Sequence, residues 1–181
     1  MTLFAEKGFH STTTRDITEA AGVSKGSLYW YFKSKEDIAF SISSDMLNDF
    51  LSILERARDE DGDVIEKINR LIKRVADLYY SEIEHLRVLW KVRFDREYIF
   101  NEEYTKKVTN YYIQIRKAIE SLIDQGIRSG VYRNVDSKQM SFIIMGISEG
   151  LEIEWLENMD DFSFKNALID TLSLIFDSFK K

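Results

Sequence analysis

The chain has 181 residues, with 31 acidic and 25 basic side chains and a formal net charge of −6. That balance excludes a protein that coats nucleic acid indiscriminately, and no apolar run approaches the roughly 18 residues that a membrane span needs. With no cysteine and no proline, disulfides and thiolate metal sites are excluded, a cytoplasmic location is expected, and nothing of proline's kind interrupts helices. The 44% hydrophobic and 31% charged residues are those of a globular protein with a sizeable core, and the lack of proline leaves it free to be helical nearly throughout, so an all-α fold is expected.

The stretch from Gly8 to Ile38 reads as two short helices joined by a tight glycine turn, followed by the start of a third. Thr13 is placed as an N-cap, with Asp16 three residues on, close to a capping box. Ile17, Ala20 and Ala21 supply an apolar face at helical spacing, and Gly22 ends the helix. Val23 is placed to plug the angle between the two helices. Ser24 caps the next one, in which Leu28 and Phe32 are spaced by four to face inward. The outward face then carries Lys25, Gly26, Ser27, Tyr29, Trp30 and Tyr31. A cation, small polar residues and aromatic hydroxyls of this kind can meet phosphates and base edges. Gly26 lets the helix backbone approach a duplex. Ser34 caps the third helix in an S-x-x-D box with Asp37. Lys33 and Lys35 stand at its entrance, where a helix N-terminus can bind phosphate. Lys25, Lys33 and Lys35 form a basic island, with no acid between Gly22 and Ser34, in an acidic chain. The plain alternative is a helical hairpin with a polar face.

These residues resemble the DNA-binding domain of the TetR family of transcription regulators. The resemblance is carried by Leu3-Phe4-Ala5-Glu6-Lys7-Gly8-Phe9, Thr12-Thr13, Ile17, Ala20-Ala21-Gly22-Val23-Ser24, Gly26, Leu28-Tyr29, Tyr31-Phe32 and Ser34-Lys35-Glu36. It implies a helix-turn-helix that contacts phosphates through Thr13, Tyr29, Tyr31 and Lys35, with Lys25, Gly26, Ser27 and Trp30 toward the bases. Family members begin with a longer first helix than the seven residues before Gly8 allow. The domains expected are 1–45 for DNA binding, its first helix truncated, and 46–181 for ligand binding and dimerisation.

Beyond the island, Ile38, Ile42, Met46, Phe50 and Leu54 continue the third helix at steps of four. Asp59-Glu60-Asp61-Gly62-Asp63 ends it as a turn; Gly62 is out of register for a calcium loop and no Glu stands at the twelfth position. Helices follow at Val64–Ile83, Leu86–Phe94, Asn101–Ser129, Asp136–Trp155 and from the Ser163 cap through Phe179. In the penultimate helix, Met140, Ile143, Ile144, Ile147, Leu151 and Ile153 cover more than one face, which asks for burial on more than one side. A homodimer would supply that, through Ile143, Gly146, Ile147 and Gly150, with Leu168, Leu172, Ile175 and Phe179 of the last helix.

No chemistry emerges from the remaining motifs. Gly146-Ile147-Ser148-Glu149-Gly150 matches G-x-S-x-G, but it lies within a helix and both histidines, His10 and His85, precede it. Their separation provides no metal-ligand spacing, and Glu149, Glu152 and Glu154 read as a solvated surface. No metal, cofactor or enzymatic activity is expected. Tyr79, Trp90, Phe94, Tyr98, Tyr111, Tyr112, Met145, Glu149 and Trp155 fall in the central helices, where family members hold an inducer. Gly146–Trp155 loosely resembles members that sense fatty acyl-CoA, so the effector expected is lipophilic or aromatic, an acyl-CoA among the candidates. The function expected is that of a repressor that binds a palindromic operator in double-stranded DNA as a homodimer and is released by this effector. The competing classes are a helical adaptor that does not bind DNA and a helical-bundle enzyme.

Overall fold

The structure, a computed structural model, describes residues 2–181. Its helices are α1 (Thr2–Lys7), α2 (Thr14–Ala21), α3 (Lys25–Tyr31), α4 (Lys35–Asp59), α5 (Val64–Ser81), α6 (Ile83–Ile99), α7 (Glu102–Arg128), α8 (Ser137–Glu157) and α9 (Phe164–Asp177). The all-α expectation holds, and no described helix is long and apolar enough to cross a membrane. The chain forms two compact units. One comprises residues 1–48 and 82–110, the other residues 49–81 and 111–181; α4 and α7 each begin in the first and end in the second.

In the first unit α1 packs on α6. Phe4, Phe9, Leu28, Ile38, Leu86, Val88 and Val92 are among its buried side chains. Lys91 of α6 donates to the carbonyls of Ala5 and Glu6. Its cation thus meets the negative C-terminal end of α1 and its free carbonyls. The sequence pattern places this unit's central helix at Leu86–Phe94; α6 starts three residues earlier and runs five further.

In the second unit α9 packs on both α5 and α8. The Phe164 ring stacks between Tyr79, at 5.6 Å, and Trp155, at 4.8 Å. The acidic stretch after α4 is indeed a turn. Gly62 takes φ 117°, a backbone angle open chiefly to glycine, and Asp63 Oδ1 accepts from the amides of Ile65 and Glu66 at the start of α5. Buried Lys67 donates to the Arg58 carbonyl near the end of α4 and to Gln125 Oε1, whose own amide also reaches Arg58. The cation therefore has oxygen partners where it leaves water. Gly126 lies under the buried Tyr132 ring, in the space a Cβ would take.

Candidate nucleic-acid interface

Local hydrogen bonds fix the helix-turn-helix. Thr13 Oγ1 accepts from the Asp16 amide at 3.1 Å, and Asp16 Oδ2 accepts from the Thr13 amide at 2.8 Å, completing the capping box. The Thr13 amide first, then the Thr13 hydroxyl, which donates to Asp16 Oδ2 at 2.7 Å, hold the Asp16 carboxyl below its ordinary value. Gly22 closes α2 at φ 65°, with its N–H turned back on the α2 carbonyls. Ser24 Oγ then accepts from the Ser27 amide at 3.0 Å to start α3. All three terminators are those the sequence names.

The packing of the two helices differs from the expected pattern. Ala20 and Ala21 are exposed, Ile17 is half-buried, and Thr18 is the buried residue of α2. Val23 is also exposed and plugs nothing. Leu28 anchors α3, while Phe32 is its half-buried, extended C-cap.

Everything else on α3 faces out. Trp30 is 78% and Tyr31 72% exposed, their rings edge to face at 4.6 Å. Lys25 Nζ lies 5.8 Å from the centre of the exposed Tyr29 ring. Thr13, Ser24, Gly26, Ser27 and Lys33 are likewise exposed. So large an aromatic surface left in water beside a cation marks an interaction face. Lys35 differs: its Nζ donates to the Phe9 and Thr12 carbonyls, both at 2.8 Å, and lies 4.1 Å from the centre of the Phe9 ring.

One carboxylate braces the turn after α3. Asp37 Oδ2 accepts from the Lys33 amide at 2.9 Å, and Oδ1 accepts from the Tyr104 hydroxyl at 2.7 Å. The Tyr104 ring stacks on Phe40, 4.2 Å between centres and 7° from parallel. The Lys33 amide first, then the Tyr104 hydroxyl, hold the Asp37 carboxyl below its ordinary value. The same bond, with the negative charge beside it, pushes the Tyr104 phenol up to about 12. Nothing in the sequence points to this bond, which joins residues 67 apart.

The effector candidates separate. In the second unit Tyr79, Tyr112, Met145 and Trp155 are buried and Tyr111 and Glu149 half-buried. In the first unit Trp90 is buried, whereas Phe94 and Tyr98 stand 73% and 84% exposed. Glu152, expected on a solvated surface, is buried and bonded to the Tyr79 hydroxyl. Burial and the neighbouring Glu152 push the Tyr79 phenol well up, with a smaller contribution from Glu149. A signal for Glu152 is present in the sequence: it shares a helical stripe with Ser141, Met145 and Trp155, at steps of four, seven and three. A groove of about 570 Å³ in the same unit, lined by Ile53, Arg56, Glu60, Arg74, Asp77, Leu78 and Ser81, contains none of the predicted effector residues.

The dimer candidates divide similarly. Leu168, Leu172 and Phe179 are buried within the single chain, because α9 packs on α5 and α8 and Phe179, beyond its end, meets the Tyr132 ring edge to face. What α8 and α9 leave open is Phe142, Ile143, Gly146, Gly150 and Leu174, with Ile147 and Ile175 half-exposed.

The fold and this face define a regulator that reads DNA through a helix-turn-helix and carries a separate helical unit. The family model for bacterial regulatory proteins of the tetR family matches residues 1–42, and that for the tetracyclin repressor-like C-terminal domain matches residues 61–157. The chain belongs to the TetR family of transcription regulators, a family that is generally non-enzymatic. It is 23% identical over 174 residues to the fatty acid metabolism regulator protein of Bacillus subtilis, covering 94% of this chain and 88% of that one. It is 25% identical to the HTH-type transcriptional repressor KstR2 of Rhodococcus jostii, over 97% of this chain and 85% of that one. The TetR-family regulator PfmR of Thermus thermophilus shares the fold, with a TM-score of 0.85 at 22% identity over 97% of this chain and 93% of that one.

Proposed function

We propose that the protein is a ligand-responsive repressor that binds a palindromic operator as a homodimer and releases it when a small lipophilic or aromatic effector binds. The observation that carries this reading is the outward face of α3, where Lys25, Ser27, Tyr29, Trp30 and Tyr31 are all open to solvent. Lys25, Gly26, Ser27 and Trp30 meet base edges. Thr13, Ser24, Tyr29, Tyr31 and Lys33 meet the sugar-phosphate backbone. The open strip of Ile143, Gly146, Ile147, Gly150 and Leu174 pairs two copies, which sets two α3 helices about one duplex turn, or a multiple of it, apart. The protein acts in the cytoplasm, without a cofactor.

The effector reading is supported by the aromatic residues Tyr79, Tyr112 and Trp155 of the second unit, and by a relative named for fatty acid metabolism. Coupling between effector and operator of about 1–3 kcal/mol is enough for a useful response. A gel shift with the promoter DNA beside the protein's own gene tests the reading. Specific retention that is relieved by one of a panel of acyl-CoAs, bile salts, dyes and drugs is the expected result. Equal retention of promoter and random DNA at physiological salt overturns it.

A further inference from the structure

The sequence resemblance assigns Lys35 to a DNA phosphate. The geometry points to a different role: we propose that Lys35 is a positioning residue, which locks the loop before α2 onto the start of α4 and so presents Thr13 and the α2 N-terminus to the duplex. This inference rests on the DNA-binding reading above and concerns how its contacts are held.

A lysine ammonium has three donors. Two of those of Lys35 are committed, to Phe9 O and Thr12 O, and its charge lies over the face of the buried Phe9 ring. A cation over an aromatic face, bonded to two carbonyls, is held in one place. To reach a phosphate it must give up bonds that fix residues 23 and 26 positions away. The other bonds of Thr12 stay within the loop and reach α1. Thr12, fully buried, donates from Oγ1 to Gly8 O and Leu3 O, and its amide reaches Phe9 O. None of those bonds reaches α4, the helix that follows α3. Lys35 supplies that tie, one residue before the Thr13 cap. If it is lost, the α2 entrance is free to shift against α3 although both helices remain intact.

A phosphate ligand and a positioning residue differ in the salt dependence of binding. Taking one cation away from a phosphate lowers the slope of log affinity against log salt by about 0.9. Lys35→Met retains the stem and removes the charge. With a duplex that the wild-type protein binds, measured well below the melting temperature, the variant is expected to bind roughly tenfold more weakly, with its salt slope unchanged. A slope lowered by about one per protomer overturns the proposal, as does a lower melting temperature with unchanged affinity. The unmodified protein provides a second measurement that needs no variant. In reductive methylation read by peptide mass spectrometry, Lys35 is expected to react more slowly than exposed Lys25 and Lys33 in the free protein. Equal reactivity, suppressed by duplex at Lys35, overturns the proposal. If the wild-type protein retains no duplex at all, the DNA-binding reading fails instead.

Discussion

Replacing Tyr104 by phenylalanine removes the hydroxyl that Asp37 Oδ1 accepts at 2.7 Å and leaves the stacked ring on Phe40 in place. A hydrogen bond to a charged partner contributes about 1.5–3 kcal/mol. Both side chains are half-buried, so water replaces part of the bond and the loss falls at the low end, about 1.5 kcal/mol. For a chain of this size that lowers the melting temperature by about 3–6 °C. The pH dependence identifies the cause. The Asp37 carboxyl sits below its ordinary value of 3.8 when folded. The stability it contributes is therefore complete above that value and is lost as pH falls toward the folded one. The phenol sits at about 12 against an ordinary 10, so its contribution is complete below pH 10 and is lost as pH rises through 12. The gap between wild type and Tyr104→Phe is expected to be widest from about pH 5 to 9 and to narrow at either end. Urea unfolding at fixed protomer concentration across this range measures it. A gap as wide at pH 3 as at pH 7, or one below about 0.3 kcal/mol at pH 7, refutes the reasoning.

Gly126→Ala drives a methyl group into the Tyr132 ring and is expected to cost at least 1–3 kcal/mol; Tyr132→Leu in the same chain should recover part of the loss in chemical denaturation, and no loss at all contradicts the packing described. Leu174→Glu puts charge on a side chain that is 72% exposed in the single chain; light scattering should report dissociation of the proposed dimer with the helical content unchanged, and an intact dimer moves the interface elsewhere. Trp30→Ala, at a residue 78% exposed, should leave the melting temperature within about 1 °C while changing which sequences are selected from random duplexes; identical losses on selected and random DNA argue against a base contact.

The parts of the site legible in the sequence are those made by short-range bonds. The Thr13–Asp16 box, the Gly22 stop, and the Ser24 and Ser163 caps each join groups within a few residues, so residue type and spacing specify them. The outward set on α3 is legible for the same reason, once Leu28 fixes the helix rotation. For Lys35 the sequence pattern shows a charge at a helix start but not the Phe9 and Thr12 carbonyls that fold back onto it. Ala20 and Ala21 are misassigned because small apolar residues fit an exposed turn as well as a tight contact. The limits of α6 are misread because its apolar residues surround the helix and leave no periodic edge.

What this sequence determines unaided is where the helix-turn-helix lies and which residues cap and stop its short helices, because those outcomes depend on backbone groups satisfied within one turn. Which apolar stripe meets which was decided only by the tertiary structure. Leu168 and Leu172 are lost to the chain's own core, Glu152 is drawn inside beside Tyr79, and Tyr104 reaches Asp37. Hydrophobic burial has no direction of its own, so a stripe suited to a partner copy is equally suited to a neighbouring helix, and only the folded chain selects between them.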